Sequence, residues 1–346
     1  MIVIIIAGGS GTRLWPLSTS TYPKHLLKIN QDKYSLLQNT YNRAKQLSNK
    51  VYVVSEKGHI EHVKSQLPDL PPENFIIEPG RRGTASCIVA ALVHIGIAKC
   101  DTDEPIAFLS ADHYIRDTTG FVHSFSTAAN TAKKEGHIVL VGAEPTFPAT
   151  GFGYIQKDNL LNEKTYVYTV HSFKEKPNFE TAQNYLKSGI YLWNCGYFIA
   201  SLNVFKKSME QYAPKLYADY LALEEAKGLE YEKVYLDFEN ISIDYALIEK
   251  VKDLLVVPAS FDWMDLGSFN DLYESVDHDE LGNHVLGRVE AEEVENSFIQ
   301  NHETKPMAVI GLDNIVVINT EEGILVTRKD LSQKVGVVSK KLLDMS

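Results

Sequence analysis

An α/β fold, with a doubly wound and mainly parallel sheet followed by a small C-terminal β domain, is what this 346-residue sequence predicts. Three observations point there. The chain opens on a branched aliphatic run, Ile2 to Ile6, that stops at Ala7-Gly8-Gly9, as a buried strand does on entering a tight loop. Short apolar runs then alternate with segments of helical spacing, the pattern of parallel strands joined by helices. From Leu281 the texture changes to brief β-like runs parted by polar turns. The expected domains are therefore 1–278 and 279–346.

The first loop carries the chemistry. Gly8, Gly9 and Gly11 let a ligand approach the main chain, and successive amides near a helix start form an anion site. Thr12 and Arg13 add a hydroxyl and a fixed cation, and Lys24 follows the rigid Tyr22-Pro23 step. Two cations near uncovered amides are what a polyphosphate needs, so a nucleoside triphosphate site is expected. A dinucleotide fingerprint fails because Leu14 stands where its third glycine belongs, and no Gly-Lys-Ser/Thr ends the loop. The apolar run is too short for a signal peptide, with nothing basic before it.

Composition narrows the class. Charged residues make up 23% and hydrophobic residues 44%, which is ordinary for a soluble globular protein. A net charge of −11 argues against broad nucleic-acid or membrane binding. Cys87, Cys100 and Cys195 lack C-x-x-C spacing and read as reduced thiols of a cytoplasmic protein. No apolar run reaches membrane-spanning length.

Taken in order, Ser35 to Leu47 has helical spacing, Lys50 to Ser55 is a second strand, Gly58 to Gln66 a helix, and Asn74 to Ile77 a third strand ending at Glu78. The next loop, Glu78 to Ser86, places Arg81, Arg82, Gly83 and Thr84 at a strand-to-helix junction, with a helix from about Cys87 to Ala98. A carboxylate such as Glu78 accepts from both N1–H and the 2-amino group of guanine, which makes guanine the expected base; the plainer alternative is a surface pair with Arg81 or Arg82. Pro105 to Ser110 delivers Asp112 to the same rim, a natural oxygen ligand for Mg²⁺, with His113 as a hydrogen-bonding neighbour.

A helix from Gly120 to Glu135 and a strand from His137 to Gly142 come next. Thr150 to Ile155 is aromatic and glycine-rich, suited to a ring-shaped ligand. The strand Tyr166 to Phe173 ends at Glu175 and Lys176, an acceptor and a cation for a sugar hydroxyl and phosphate, or else a solvated charge cluster. Asn194 lies in the aromatic strand Tyr191 to Phe198 and both donates and accepts. Asn203 to Leu223 is helical, and Ser242 or Asp244 is the expected N-cap of another helix. After the strand Leu254 to Pro258, Asp265 and Asp262 compete to be a second metal carboxylate. The tail past Leu281 shows no chemistry of its own.

Six blocks in this order, Ala7 to Ser18 with Tyr22-Pro23-Lys24, Ala111-Asp112-His113, Gly151 to Ile155, Phe173 to Pro177, Trp193 to Gly196 and Trp263 to Ser268, resemble the sugar-1-phosphate nucleotidyltransferases, and among them the mannose-1-phosphate guanylyltransferases. The resemblance implies a Rossmann-like nucleotidyltransferase domain with a β-helical C-terminal piece. It implies Mg²⁺-dependent transfer of GMP from GTP to mannose 1-phosphate. By the same resemblance Ala7, Gly8, Gly9, Gly11, Thr12, Arg13, Glu78, Gly83 and Thr84 bind the nucleotide. Arg13, Lys24, Asp112 and Asp265 are the catalytic set, with Asp112 and Asp265 on the metal, and Gly153, Glu175, Lys176 and Asn194 hold the sugar phosphate. A homodimer with no nucleic-acid or membrane partner is expected. Longer bacterial members carry an additional isomerase domain, so a monofunctional enzyme is implied here. The alternatives are another base or hexose phosphate, and a catalytically silent sugar-nucleotide sensor.

Overall fold

The computed structural model describes residues 1–9, 11–29, 32–98 and 100–343. Its contacts group the chain into two compact units. The first holds Met1–Ala7, Thr40–Ala111 and Ile115–Trp263; the second holds Gly8–Asn39, Asp112–Tyr114 and Met264–Ser346.

In the first unit nine strands form one sheet: β1 (Ile2–Ala7), β2 (Val51–Glu56), β3 (Phe75–Glu78), β4 (Pro105–Ser110), β5 (Val139–Ala143), β6 (Gly153–Asn162), β7 (Val167–Lys174), β8 (Tyr191–Ser201) and β9 (Leu255–Pro258), in the order β3-β2-β1-β4-β8-β5-β9-β7-β6. The parallel sheet expected from the alternating units is the half β3-β2-β1-β4. Beyond it the sheet is mixed: β8 runs antiparallel to β4, β5 and β6, while β5 and β9 pair in parallel. Strand direction is set by connections, and the apolar pattern of a strand such as Tyr191–Ser201 carries no direction. The four aliphatics Ile2, Val3, Ile4 and Ile5 are fully buried, as a central strand covered on both faces requires.

The helix expected from Cys87 starts four residues earlier, at Gly83–Ile97, and is apolar nearly all round because it lies inside the core. The single helix expected over Asn203 to Leu223 is two, Leu202–Tyr212 and Pro214–Glu225. Pro214 has no N–H to continue the first and is well placed to open the second. The helix Thr118–Glu135 is capped by Asp117, which accepts from the Gly120 N–H, and closes on Gly136 in the left-handed region.

The second unit contains parallel rungs, β10 (His284–Leu286), β12 (Phe298–Asn301) and β14 (Ile315–Thr320), with β15 (Gly323–Arg328) antiparallel to the last. β11 (Val289–Glu292) and β13 (Met307–Ile310) pair in parallel as a second face. One feature departs from the all-β tail expected: Val335–Leu343 is an α-helix. Its core joins Phe298, Val316, Ile318 and Leu325 to Leu14, Leu36, Leu266, Phe269 and Val335. The stretch that follows the glycine loop is therefore packed in the β-domain core. Trp15 lies against β15 so closely that a Cβ on Gly323, which holds φ 149°, would be 2.6 Å from the indole.

Candidate active site

The glycine loop leaves β1 at Ala7 and turns at Gly9 and Gly11, with φ of 109° and 62°. Gly11 is required twice over, since a Cβ there would sit 2.8 Å from the Lys24 backbone nitrogen. Ser10 of the motif lies outside the described residues. Thr12–Leu14 forms a 3₁₀ turn that carries Arg13. A cavity of about 270 Å³ is lined by Gly8, Gly9, Gly11, Arg13, Lys24 and Asp112, among others.

Within this second unit Lys24 is buried, and its Nζ lies 2.8 Å from Asp112 Oδ2 and 3.1 Å from Asp265 Oδ1. It also donates to the Asp265 carbonyl. Burial alone pushes the Lys24 ammonium down, but the two carboxylates outweigh it and the net shift is upward, so the charge is fixed. Lys24 thus holds together the two carboxylates expected at a metal. Ligand atoms of Asp112, His113 and Asp265 lie within 4.8 Å of one another, a set able to hold a cation. His113, read as a neighbour, belongs to this set. The competition between Asp262 and Asp265 is resolved by geometry in the first unit: Asp262 accepts from the Arg116 and Asp117 N–H groups at 3.0 and 2.7 Å and from Arg116 Nε at 3.0 Å. It caps a turn.

Glu78, at the end of β3 in the first unit, is neither an open acceptor nor a surface ion pair. It is buried, and the Tyr235 hydroxyl donates to its Oε1. Burial pushes its carboxyl up to about 7 against the lowering pull of the Tyr235 and Cys87 hydrogen bonds. Arg81 instead pairs with Glu56, and Arg82 donates to the Leu236 carbonyl at 2.7 Å. Nearby, Gly83 has φ 79° and a Cβ there would be 2.3 Å from the Ile241 carbonyl oxygen. The Thr84 hydroxyl accepts from the Ile243 N–H at 2.9 Å. Both residues therefore pin the 241–243 segment.

A second cluster in the same unit gathers the four residues expected at a sugar phosphate. A Cβ on Gly153 would lie 2.3 Å from Glu175 Oε2, so this glycine exists to admit that carboxylate. Glu175 is buried, its Oε1 pairs with Lys176, and its Oε2 has no hydrogen-bond partner among the described residues. Burial raises its pKa, with Lys176 opposing. Asn194 Nδ2 donates to Asp244 Oδ1 at 2.7 Å, and Asn194 Oδ1 accepts from the Gly196 N–H at 3.0 Å. The amide is locked in one orientation, with one N–H left over among the described residues.

Asp244 is the residue the sequence reading misplaced. Ser242 occupies the N-cap position but makes no capping bond, and Asp244 turns inward to Asn194, where burial raises its pKa. The signal available was a carboxylate flanked by Ile243 and Tyr245 rather than by polar turn residues. Tyr235 gave no local signal, lying 157 residues from Glu78.

The sequence model described as Nucleotidyl transferase matches residues 2–281, and that described as MannoseP isomerase/GMP-like beta-helix domain matches 287–342. A mannose-1-phosphate guanylyltransferase of Escherichia coli is 34% identical over 348 residues, 97% of this chain and 74% of that protein. The chain belongs to the mannose-1-phosphate guanylyltransferase family of nucleotidyl transferases. Another such protein, from Salmonella montevideo, is 35% identical over 98% of this chain and 73% of its own length. Among solved structures, one described as a mannose-1-phosphate geranyltransferase from Thermus thermophilus superposes with a TM-score of 0.88 at 28% identity, covering 99% of this chain and 98% of that one. As a family member, the chain combines a nucleotidyltransferase core with a β-helix domain, and no described helix is long and apolar enough to cross a membrane.

Proposed function

We propose that the protein transfers GMP from GTP to mannose 1-phosphate, giving GDP-mannose and pyrophosphate. The observation that carries this reading is the cavity lined by the glycine loop, Arg13, Lys24 and Asp112, with Asp265 paired to Lys24, in a chain related over 97% of its length to mannose-1-phosphate guanylyltransferases. Amides of Gly8, Gly9, Gly11 and Thr12 and the Arg13 guanidinium bind the triphosphate. Ionised Glu78 reads guanine, the base displacing the Tyr235 hydroxyl, with Gly83 and Thr84 shaping the pocket. The unpartnered Glu175 Oε2 and the free N–H of Asn194 take mannose hydroxyls. Lys176 faces the phosphate.

In the reaction a phosphate oxygen of mannose 1-phosphate attacks the α-phosphorus in line, the α–β anhydride bond breaks, and its electrons leave on pyrophosphate. The nucleophile is already an anion, so no proton moves and no general base is needed. The barrier is lowered by aligning two anions and neutralising them. Arg13 stabilises charge on the departing pyrophosphate, and Lys24 balances the carboxylates beneath it. Asp112 and Asp265, with two hard oxygen donors, fit Mg²⁺, His113 standing at the third corner. When bound, the ion supplies further charge neutralisation at phosphate oxygens. Exposed Ile310, Ile324 and Val326 on the β domain support a homodimer, and the composition supports cytoplasmic residence.

The test is incubation of the purified protein with Mg²⁺ and α-labelled GTP, with and without mannose 1-phosphate. Label should pass to GDP-mannose only when the sugar phosphate is present. Label on the protein, or pyrophosphate release without the sugar, would contradict direct transfer.

A further inference from the structure

We propose that the C-terminal helix Val335–Leu343 is part of the catalytic apparatus, with Gly336 and Ser339 acting as positioning residues that set where the Arg13 side chain points. The inference rests on the role proposed above for Arg13 at the phosphates. Two independent contacts carry it. The buried Ser339 hydroxyl lies 3.1 Å from the Thr12 carbonyl, to which it donates, and 3.3 Å from the Gly336 carbonyl one turn back. Thr12 opens the 3₁₀ turn that carries Arg13. Gly336 forms one wall of a slot for the arginine stem: a Cβ there would lie 3.0 Å from Arg13 Cγ and 3.6 Å from its Cα. The opposite end of the same side chain rests on Gly267, where a Cβ would be 3.0 Å from Nη1. Arg13 therefore runs between two glycines, one from the C-terminal helix and one from the loop that bears Asp265.

Backbone conformation does not account for Gly336. Its φ lies outside the left-handed region, and it is the second residue of a helix, where alanine is favoured over glycine by up to about 1 kcal/mol. The space taken by Arg13 does account for it. Val335 and Leu14 share one core cluster, which roots the helix beside the turn it braces.

A double-mutant cycle tests this: wild type, Gly336→Ala, Arg13→Ala and the double variant, with kcat, the KM for mannose 1-phosphate and the melting temperature measured for each. Displacing the stem by a few tenths of an ångström should lower kcat about three- to tenfold, on the scale where a 1 Å misplacement costs about 100-fold. KM and melting temperature should stay near wild type. In the Arg13→Ala background the same substitution should have no effect on kcat. Ser339→Ala, which keeps helix propensity, should show the same dependence on Arg13 and serves if Gly336→Ala folds poorly. The proposal is overturned if these variants leave kcat unchanged, or lower it equally with and without Arg13. A normal kcat for Arg13→Ala alone would overturn the phosphate role first, and this inference with it.

Discussion

Guanine binding should tighten as pH rises through neutrality, because the carboxyl that reads the base must first lose a proton. Burial holds Glu78 at about 7, while only its ionised form accepts from both N1–H and the 2-amino group. The apparent Kd scales with the inverse of the competent fraction. With that pKa, about 9% of Glu78 is ionised at pH 6 and about 90% at pH 8, so affinity should rise about tenfold across the interval. GDP-mannose is the suitable ligand, since neither its phosphates nor its base titrates there, and calorimetry at pH 6, 7 and 8 reads the change directly. Glu78→Gln should bind weakly and without this slope. Tyr235→Phe removes a donor that favours the carboxylate, so its midpoint should move to higher pH. A wild-type Kd independent of pH, or a Glu78→Gln protein with the wild-type slope, would refute the reasoning.

Other consequences follow from the same geometry. Asp244→Asn removes the charged acceptor that orients Asn194, and the KM for mannose 1-phosphate should rise about 10- to 100-fold with little change for GTP, as steady-state kinetics with each substrate varied will show. Gly323→Ala places a side chain at φ 149° against Trp15, and urea denaturation should show a loss of about 1–3 kcal/mol. Chelation should abolish pyrophosphate release and Mg²⁺ should restore it, while Asp265→Asn should raise the Mg²⁺ concentration needed and Asp262→Asn should not.

Local features were legible in the sequence because local physics fixes them. The run Ile2 to Ile6 reads as a buried strand and forms one, and of the loop glycines read as conformationally permissive Gly9 and Gly11 do adopt positive φ. The strand ends at Ala7, Glu78 and Ser110 were readable to within a residue or two. What escaped depends on contacts distant in sequence. Strand direction beyond β4 follows from how connections cross the sheet, which apolar periodicity does not encode. The surface pair weighed as the alternative for Glu78 came from the two arginines in its loop, yet Tyr235 and Cys87 enclose it from elsewhere. Asp244 resembled a cap because acids commonly open helices, and only Asn194, fifty residues earlier, gives it another purpose. The contact between the tail and the glycine-loop turn was hidden for a similar reason: Ser339 reaches Thr12 across 327 residues.

The central claim is that this site joins a guanylyl group to mannose 1-phosphate. Its most direct test is pyrophosphate release by the purified protein with Mg²⁺, crossing GTP, ATP, UTP and dTTP against mannose 1-phosphate and glucose 1-phosphate. GTP with mannose 1-phosphate should give the highest kcat/KM, and Glu78→Gln should erode the preference for GTP without altering the preference for mannose. A higher kcat/KM for another base and sugar, or no release with any pair, would contradict it.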